Sequence, residues 1–197
     1  MDRRDALRRV ALLTGAAISA PFAAAFLQSC ESGATSVGED LQFFTQNQFD
    51  VLNEIAERIM PKTDTPGAKD VKVVNLIDGI IADYYSDEDA KGFAGQIDTF
   101  ETDCKKANSK SFTEMSDEER DAYLTKVEAA AHKTKDDGTD SDKIFWFNAK
   151  QGVLSTFFMT EEGCTQVLQH KAIPGPFQGC VAMEEAGEGR AWASEWV

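Results

Sequence analysis

The chain has 197 residues, with 20 Lys and Arg against 34 Asp and Glu, for a formal net charge of −14. A surface this acidic repels phosphate backbones and anionic lipid headgroups, which excludes nucleic-acid binding and adhesion to a membrane by charge alone. With 42% hydrophobic residues, 13 of the side chains being Phe, one sizeable core can form.

Residues 1–30 read as an address rather than as part of the fold. Arg3 and Arg4 precede a mild apolar stretch, Val10 to Leu27, which is rich in Ala and interrupted by Pro21. This is the pattern of a twin-arginine export signal; an ordinary secretory signal or an uncleaved anchor helix are the alternatives. Leu27-Gln28-Ser29-Cys30 is a candidate lipidation box in which Gln28 is unusual, and a lipidated Cys30 would tether the protein by acyl chains. Residues 31–42, small and polar, then form a flexible tether, and residues 43–197 form a single domain. The first thirty residues hold four arginines and two aspartates, so the remainder is more acidic still, at net −16. The twin-arginine route carries folded cargo, which implies assembly before export, often of a cofactor.

Thr45 and Gln48 form a capping box that opens a helix carrying Phe49, Leu52, Ile55 and Ile59 on one face. Pro61 stops it near Met60. In the loop that follows, Pro66-Gly67 suits a type II turn with Gly67 at positive φ, and Asp70 is the expected N-cap of a second helix from Val71 to Tyr85. That helix places Val71, Val74, Ile77 and Ile81 on one face. A third spans Asp87–Asn108, with Ala90, Phe93, Ile97, Phe100 and Cys104 in register. Ser116 and Glu119 form a second capping box, opening a helix that fades near His132. The segment 135–142 reads as a solvated loop, since EF-hand spacing is absent. The strongly apolar run from Ile144 to Met159 predicts the most buried helix, and Thr160 caps a short helix through Leu168. No run alternates like a strand, so the expectation is an all-α bundle of five or six helices with a Pro/Gly-rich C-terminal loop and tail.

In that tail Pro174, Gly175 and Phe177 belong to a turn-rich loop, and Arg190, Trp192 and Trp196 follow. The two tryptophans either pack on this domain or anchor the tail on another protein, where Trp and Arg are typical hot spots. Cys164 and Cys180 could close a disulfide across the helix-to-loop junction, leaving Cys104 as the third thiol. Which cysteine is left over is not fixed by the sequence. No dinucleotide cradle or haem-attachment motif occurs, and neither His132 nor His170 has a metal-ligand partner at helical spacing. Asp64 is a lone carboxylate in a loop, which by itself makes a weak general base.

The stretch Ile59-Met60-Pro61-Lys62-Thr63-Asp64-Thr65-Pro66-Gly67-Ala68, the run Val74 through Ile81, the late Ile173-Pro174-Gly175-Pro176-Phe177-Gln178-Gly179-Cys180 and the twin-arginine start together resemble the gluconate 2-dehydrogenase subunit 3 family. These are the small, or gamma, subunits of membrane-associated FAD-dependent sugar dehydrogenases. The resemblance implies a non-catalytic chain with no cofactor of its own. It implies a large subunit of the glucose-methanol-choline type holding FAD, and in some complexes a cytochrome c subunit holding haem. The small subunit would supply the signal to the twin-arginine translocase, escort the folded flavoprotein to the periplasm and help it mature. Gluconate itself is not implied as substrate. Two other classes stand beside this reading: a free-standing envelope lipoprotein with a ligand-binding or structural role, and an enzyme acting through Asp64.

Overall fold

The computed structural model describes residues 41–140 and 144–173 and, in the tail, 175–176, 179–182, 184–185 and 189–193. Among these, the regular structure is helical: α1 (Gln46–Ile59), α2 (Val73–Tyr84), α3 (Asp87–Asn108), α4 (Asp117–Asp136) and α5 (Phe145–Met159). A 3₁₀ turn at Phe112–Glu114 links α3 to α4, and a π-helical turn at Gly163–Val167 follows α5. The expected all-α bundle is what the chain forms, and no helix among the described residues is long and apolar enough to cross a membrane.

The starts of α1, α3 and α4 follow capping residues. Thr45 accepts from the Gln48 N–H while the Gln48 side chain returns a bond to the Thr45 N–H, and Ser116 and Glu119 do the same for α4. Ser86, which the sequence reading did not single out, caps α3 through the Asp89 N–H. Helix α4 runs further than expected, through Asp136 instead of fading near His132. Its end is a Schellman motif: Gly138 sits at φ 95° and its N–H bonds to the Lys135 carbonyl, while the Thr139 N–H reaches Thr134. The glycine read as a flexible-loop residue is a helix stop.

Helix α5 packs on all four other helices, but it is not the most buried one expected: five of its 15 residues are buried, against six of 14 in α1, which packs on α2, α3, α5 and the 3₁₀ turn. Their shared core contains Val51, Leu52, Ile55, Val74, Ile97 and Val153, all fully buried. Burial of each such side chain contributes roughly 1.5–3 kcal/mol. Phe100 is the hub of an aromatic cluster. Its ring centroid lies 5.1 Å from Phe112, 5.3 Å from Phe145 and 5.6 Å from Tyr123, within the range where offset and edge contacts are favourable.

Two buried carboxylates pin the segments that flank the helices. Asp78 of α2, 2% exposed, accepts the backbone N–H groups of Gln42, Phe43 and Phe44. Leu41 packs against the core, so the last two residues of the expected tether, Leu41 and Gln42, belong to the domain. Glu101 of α3, 3% exposed, accepts from the Ser111 hydroxyl and the Phe112 N–H and fixes the 3₁₀ turn.

Candidate partner-binding face

The loop between α1 and α2 is held by side chains that reach it from both ends. Glu57 of α1 accepts the N–H of Lys62 at 3.1 Å and of Lys69 at 3.0 Å. Asp70 accepts the Gly67 N–H and pairs with Lys62 Nζ, each at 3.0 Å. The Gly67 N–H and the Lys62 ammonium hold the Asp70 carboxyl below its usual range.

Two expectations are corrected here. Asp70 is not the N-cap of α2, because its carboxylate is occupied inside the loop. The helix starts at Val73, after Lys72 in the left-handed region at φ 53°. Gly67 is required for space and not for positive φ: a Cβ there would lie 2.6 Å from Lys62 N and 2.7 Å from Glu57 Oε1. Asp64 is exposed near the loop tip.

Fixed in this way, α2 presents two apolar faces. Val73, Val74, Ile77 and Ile81 are buried. Leu76, Ile80 and Tyr84, spaced by four residues and therefore aligned along the helix, are 45%, 37% and 83% exposed. A helix apolar on both sides is ordinarily covered on both. Beside this stripe lies a cleft of about 670 Å³ between α2, α3 and α5. Its α2 side is Ile77, Ile80, Ile81 and the following Tyr85; its α5 side includes Asn148, Gln151, Ser155 and the exposed Met159. Glu88 and Asp89, in the first turn of α3, stand on its lining.

The family profile described as gluconate 2-dehydrogenase subunit 3 matches residues 46–175, which takes in α1 through α5 and the π-helical turn. The chain belongs to that family. Searches among curated proteins and among solved structures return no significant match. A subunit 3 protein is one component of a dehydrogenase complex, which suggests an accessory role and association with other subunits. The matched span contains the whole of the cleft and of the α2 stripe, and ends before Arg190 and Trp192.

Of the interface residues expected in the tail, Arg190 and Trp192 have contacts within this subunit. Arg190 donates through Nη1 to the carbonyls of Thr165 at 2.8 Å and of Gln166 and Leu168 at 3.3 Å, capping the end of the π-helical turn. Trp192 is 40% exposed; it forms a parallel bridge with Gln169, and Lys171 Nζ lies 5.4 Å from its ring. This portion of the tail packs on its own domain. Gly175 is exposed, at φ 85°. Cys104, Cys164 and Cys180 are free thiols, so the expected Cys164–Cys180 bridge is not made in this structure. Cys164 Sγ donates to the Phe158 carbonyl, and Cys104 lies buried against Met115. Arg3, Arg4, Cys30, Pro174, Phe177 and Trp196 lie outside the described residues. Among the described residues no three His, Cys, Asp or Glu side chains group so as to hold a metal ion.

The sequence reading missed the stripe, although its signal was present. Leu76 and Ile80 fall out of phase with Val74, Ile77 and Ile81, so one helix carries two apolar periodicities. Following only the stronger of them hid the other.

Proposed function

We propose that this chain is the non-catalytic small subunit and export escort of a periplasmic FAD-dependent dehydrogenase of sugars or sugar acids. Its partner would be a large subunit of the glucose-methanol-choline type, with a cytochrome c subunit as electron acceptor in complexes that contain one. The observation that carries this reading is family membership across all five helices, joined to a twin-arginine pattern at Arg3 and Arg4. The two features explain each other physically. FAD is inserted into a folded apoprotein, so a flavoprotein loaded in the cytoplasm and lacking its own signal must cross the membrane bound to a carrier that has one. Lipidation at Cys30 would add an anchor to that carrier.

The reading is tested by co-expressing the chain with a FAD-dependent large subunit of the glucose-methanol-choline type from the same genome and purifying from membranes. The expected result is a complex carrying stoichiometric FAD, with no flavin on the small subunit alone. Replacing Arg3 and Arg4 by Lys should strand FAD-dependent activity in the cytoplasm. Export of the flavoprotein at the wild-type level from that variant would overturn the escort role. Flavin or dehydrogenase activity in the isolated chain would overturn its non-catalytic status.

A further inference from the structure

The geometry points to the cleft between α2, α3 and α5, with the outer stripe of α2, as the seat for a helix of the large subunit. That helix would be amphipathic, with aliphatic or aromatic anchors towards α2 and Lys or Arg towards α3. The inference rests on the reading above for the existence of that subunit and goes beyond it by naming the face and the chemistry it recognises.

Three independent features lead to this occupant. The α2 side is aliphatic and aromatic, while the α5 side carries the Gln151 amide and the Ser155 hydroxyl, hydrogen-bonded to each other at 2.8 Å, beside the exposed Met159, so the groove matches a segment that is mainly apolar with a polar edge. Its charge is one-sided: Glu88 and Asp89 are exposed at the start of α3, and no described ion pair involves Glu88. A cationic side chain is the complement, while an anionic headgroup is repelled, as the net charge of −14 also requires.

The third feature is glycine. Gly92 in α3 and Gly152 in α5 both line the cleft, and a Cβ on either would meet nothing within 4 Å. Glycine inside a helix is less favourable than any residue except proline, and here the isolated subunit has no steric need for it. One position without a side chain on each of two helices lining the cleft lets a third backbone come close there, which is how small residues act where helices pack tightly. A sugar-sized ligand would not need that approach.

The test uses the full-length chain co-expressed with the flavoprotein, reading FAD recovered per small subunit together with the Tm of the purified small subunit. Gly152→Leu fills the cleft from a helix position with open space above it, so its Tm should stay level or rise. Recovery of the flavoprotein should fall about tenfold or more, as for a hot-spot loss. Tyr84→Glu, at an 83% exposed position, should act the same way without unfolding the chain. Glu88→Lys should weaken recovery most at low salt. Ile173→Glu, at an 88% exposed position in the late loop, should leave it unchanged.

If wild type recovers the flavoprotein and Gly152→Leu and Tyr84→Glu do so equally well, the inferred face is wrong and the escort reading stands. Loss with Ile173→Glu alone moves the interface to the late loop. If wild type recovers no flavoprotein, the escort reading falls and the inference with it. A small-subunit dimer that Tyr84→Glu dissociates would assign the face to a second copy and overturn the inference in another way.

Discussion

Replacing Asp78 by Asn isolates the bond set that fastens the start of the domain to α2. The carboxylate takes the Gln42 N–H on Oδ2 at 2.6 Å, and the Phe43 and Phe44 N–H groups on Oδ1 at 3.1 and 2.7 Å. Asparagine keeps the shape but has one acceptor oxygen, so it can serve the Phe43 and Phe44 pair while its NH₂ faces the Gln42 N–H, donor against donor. One charge-assisted bond, worth about 1.5–3 kcal/mol, is lost outright, and the other two fall to neutral strength. The expected destabilisation is about 3–4 kcal/mol, or a Tm lower by roughly 10 °C for a chain of this size. Asp78→Ala should be at least as severe, because Phe44 is 4% exposed and its amide would be left unpaired. Urea denaturation gives the free energy, and hydrogen exchange at residues 42–44 reports whether the clamp has opened. An Asn variant within 1 kcal/mol of wild type, with those amides still protected, would show that the segment is held by packing of Leu41 and Phe44 and not by the carboxylate.

Gly67→Ala should destabilise by about 2–3 kcal/mol in thermal denaturation, since the new methyl meets backbone at Lys62 and displaces the Glu57 carboxylate; an unchanged Tm would mean the loop can open without loss. Stability should fall on the acid side. The carboxyls of Glu119, Glu118 and Asp70 are held low chiefly by backbone N–H groups at Ser116, Glu118 and Gly67 respectively. Depressed groups stabilise above their unfolded values and lose that contribution as pH drops through their folded ones, so Tm should be level above about pH 5 and decline below about pH 4. On the alkaline side, burial pushes the Tyr123 phenol up to about 12, so the unfolded chain ionises first and stability should drop from about pH 10 upward; Tyr123→Phe should flatten that limb in a Tm-versus-pH series. Among the three described cysteines, an alkylating reagent under native conditions should label the exposed Cys180 first and Cys104 last, because Cys104 is buried and burial raises its thiol pKa; labelling of Cys104 at the rate of Cys180, followed by peptide mass analysis, would contradict the packed core.

Local chemistry made most helix boundaries legible. Two capping boxes, Pro61 and the helical spacing of Ala90, Ile97, Phe100 and Cys104 need no knowledge of what lies across the core. The misreadings occurred where a distant residue decides the outcome. Asp70 looks like an N-cap until Lys62 and the Gly67 N–H occupy it. Gly67 looks like a φ requirement until Glu57 is seen to come from the preceding helix. The role of Asp78 depends on backbone 34 to 36 residues away, which no periodicity records. The cleft combines both cases. The outer phase of α2 was readable, but its neighbourhood with Gly92, Gly152 and Glu88 exists only once three helices have packed.

These arrangements bear on how the exposed stripe could work. Helix α2 is positioned by the stapled loop at its N-terminal end, by Asp78 gripping Gln42–Phe44, and by α1 and α5 beneath it. A face set on so constrained an element is already in its binding geometry, so association need not include the entropy of ordering it, which commonly erodes the affinity of flexible surfaces. An exposed apolar stripe is also an aggregation hazard for a subunit waiting for its partner. Here the whole chain carries net −14 and Glu88 and Asp89 stand beside the stripe, so two unpartnered copies repel each other while a basic segment would be drawn in. On the inferred interface, the same charge excess would serve solubility before assembly and selectivity during it. Raising salt should weaken both effects together, with self-association of the isolated subunit growing as the affinity for its partner falls.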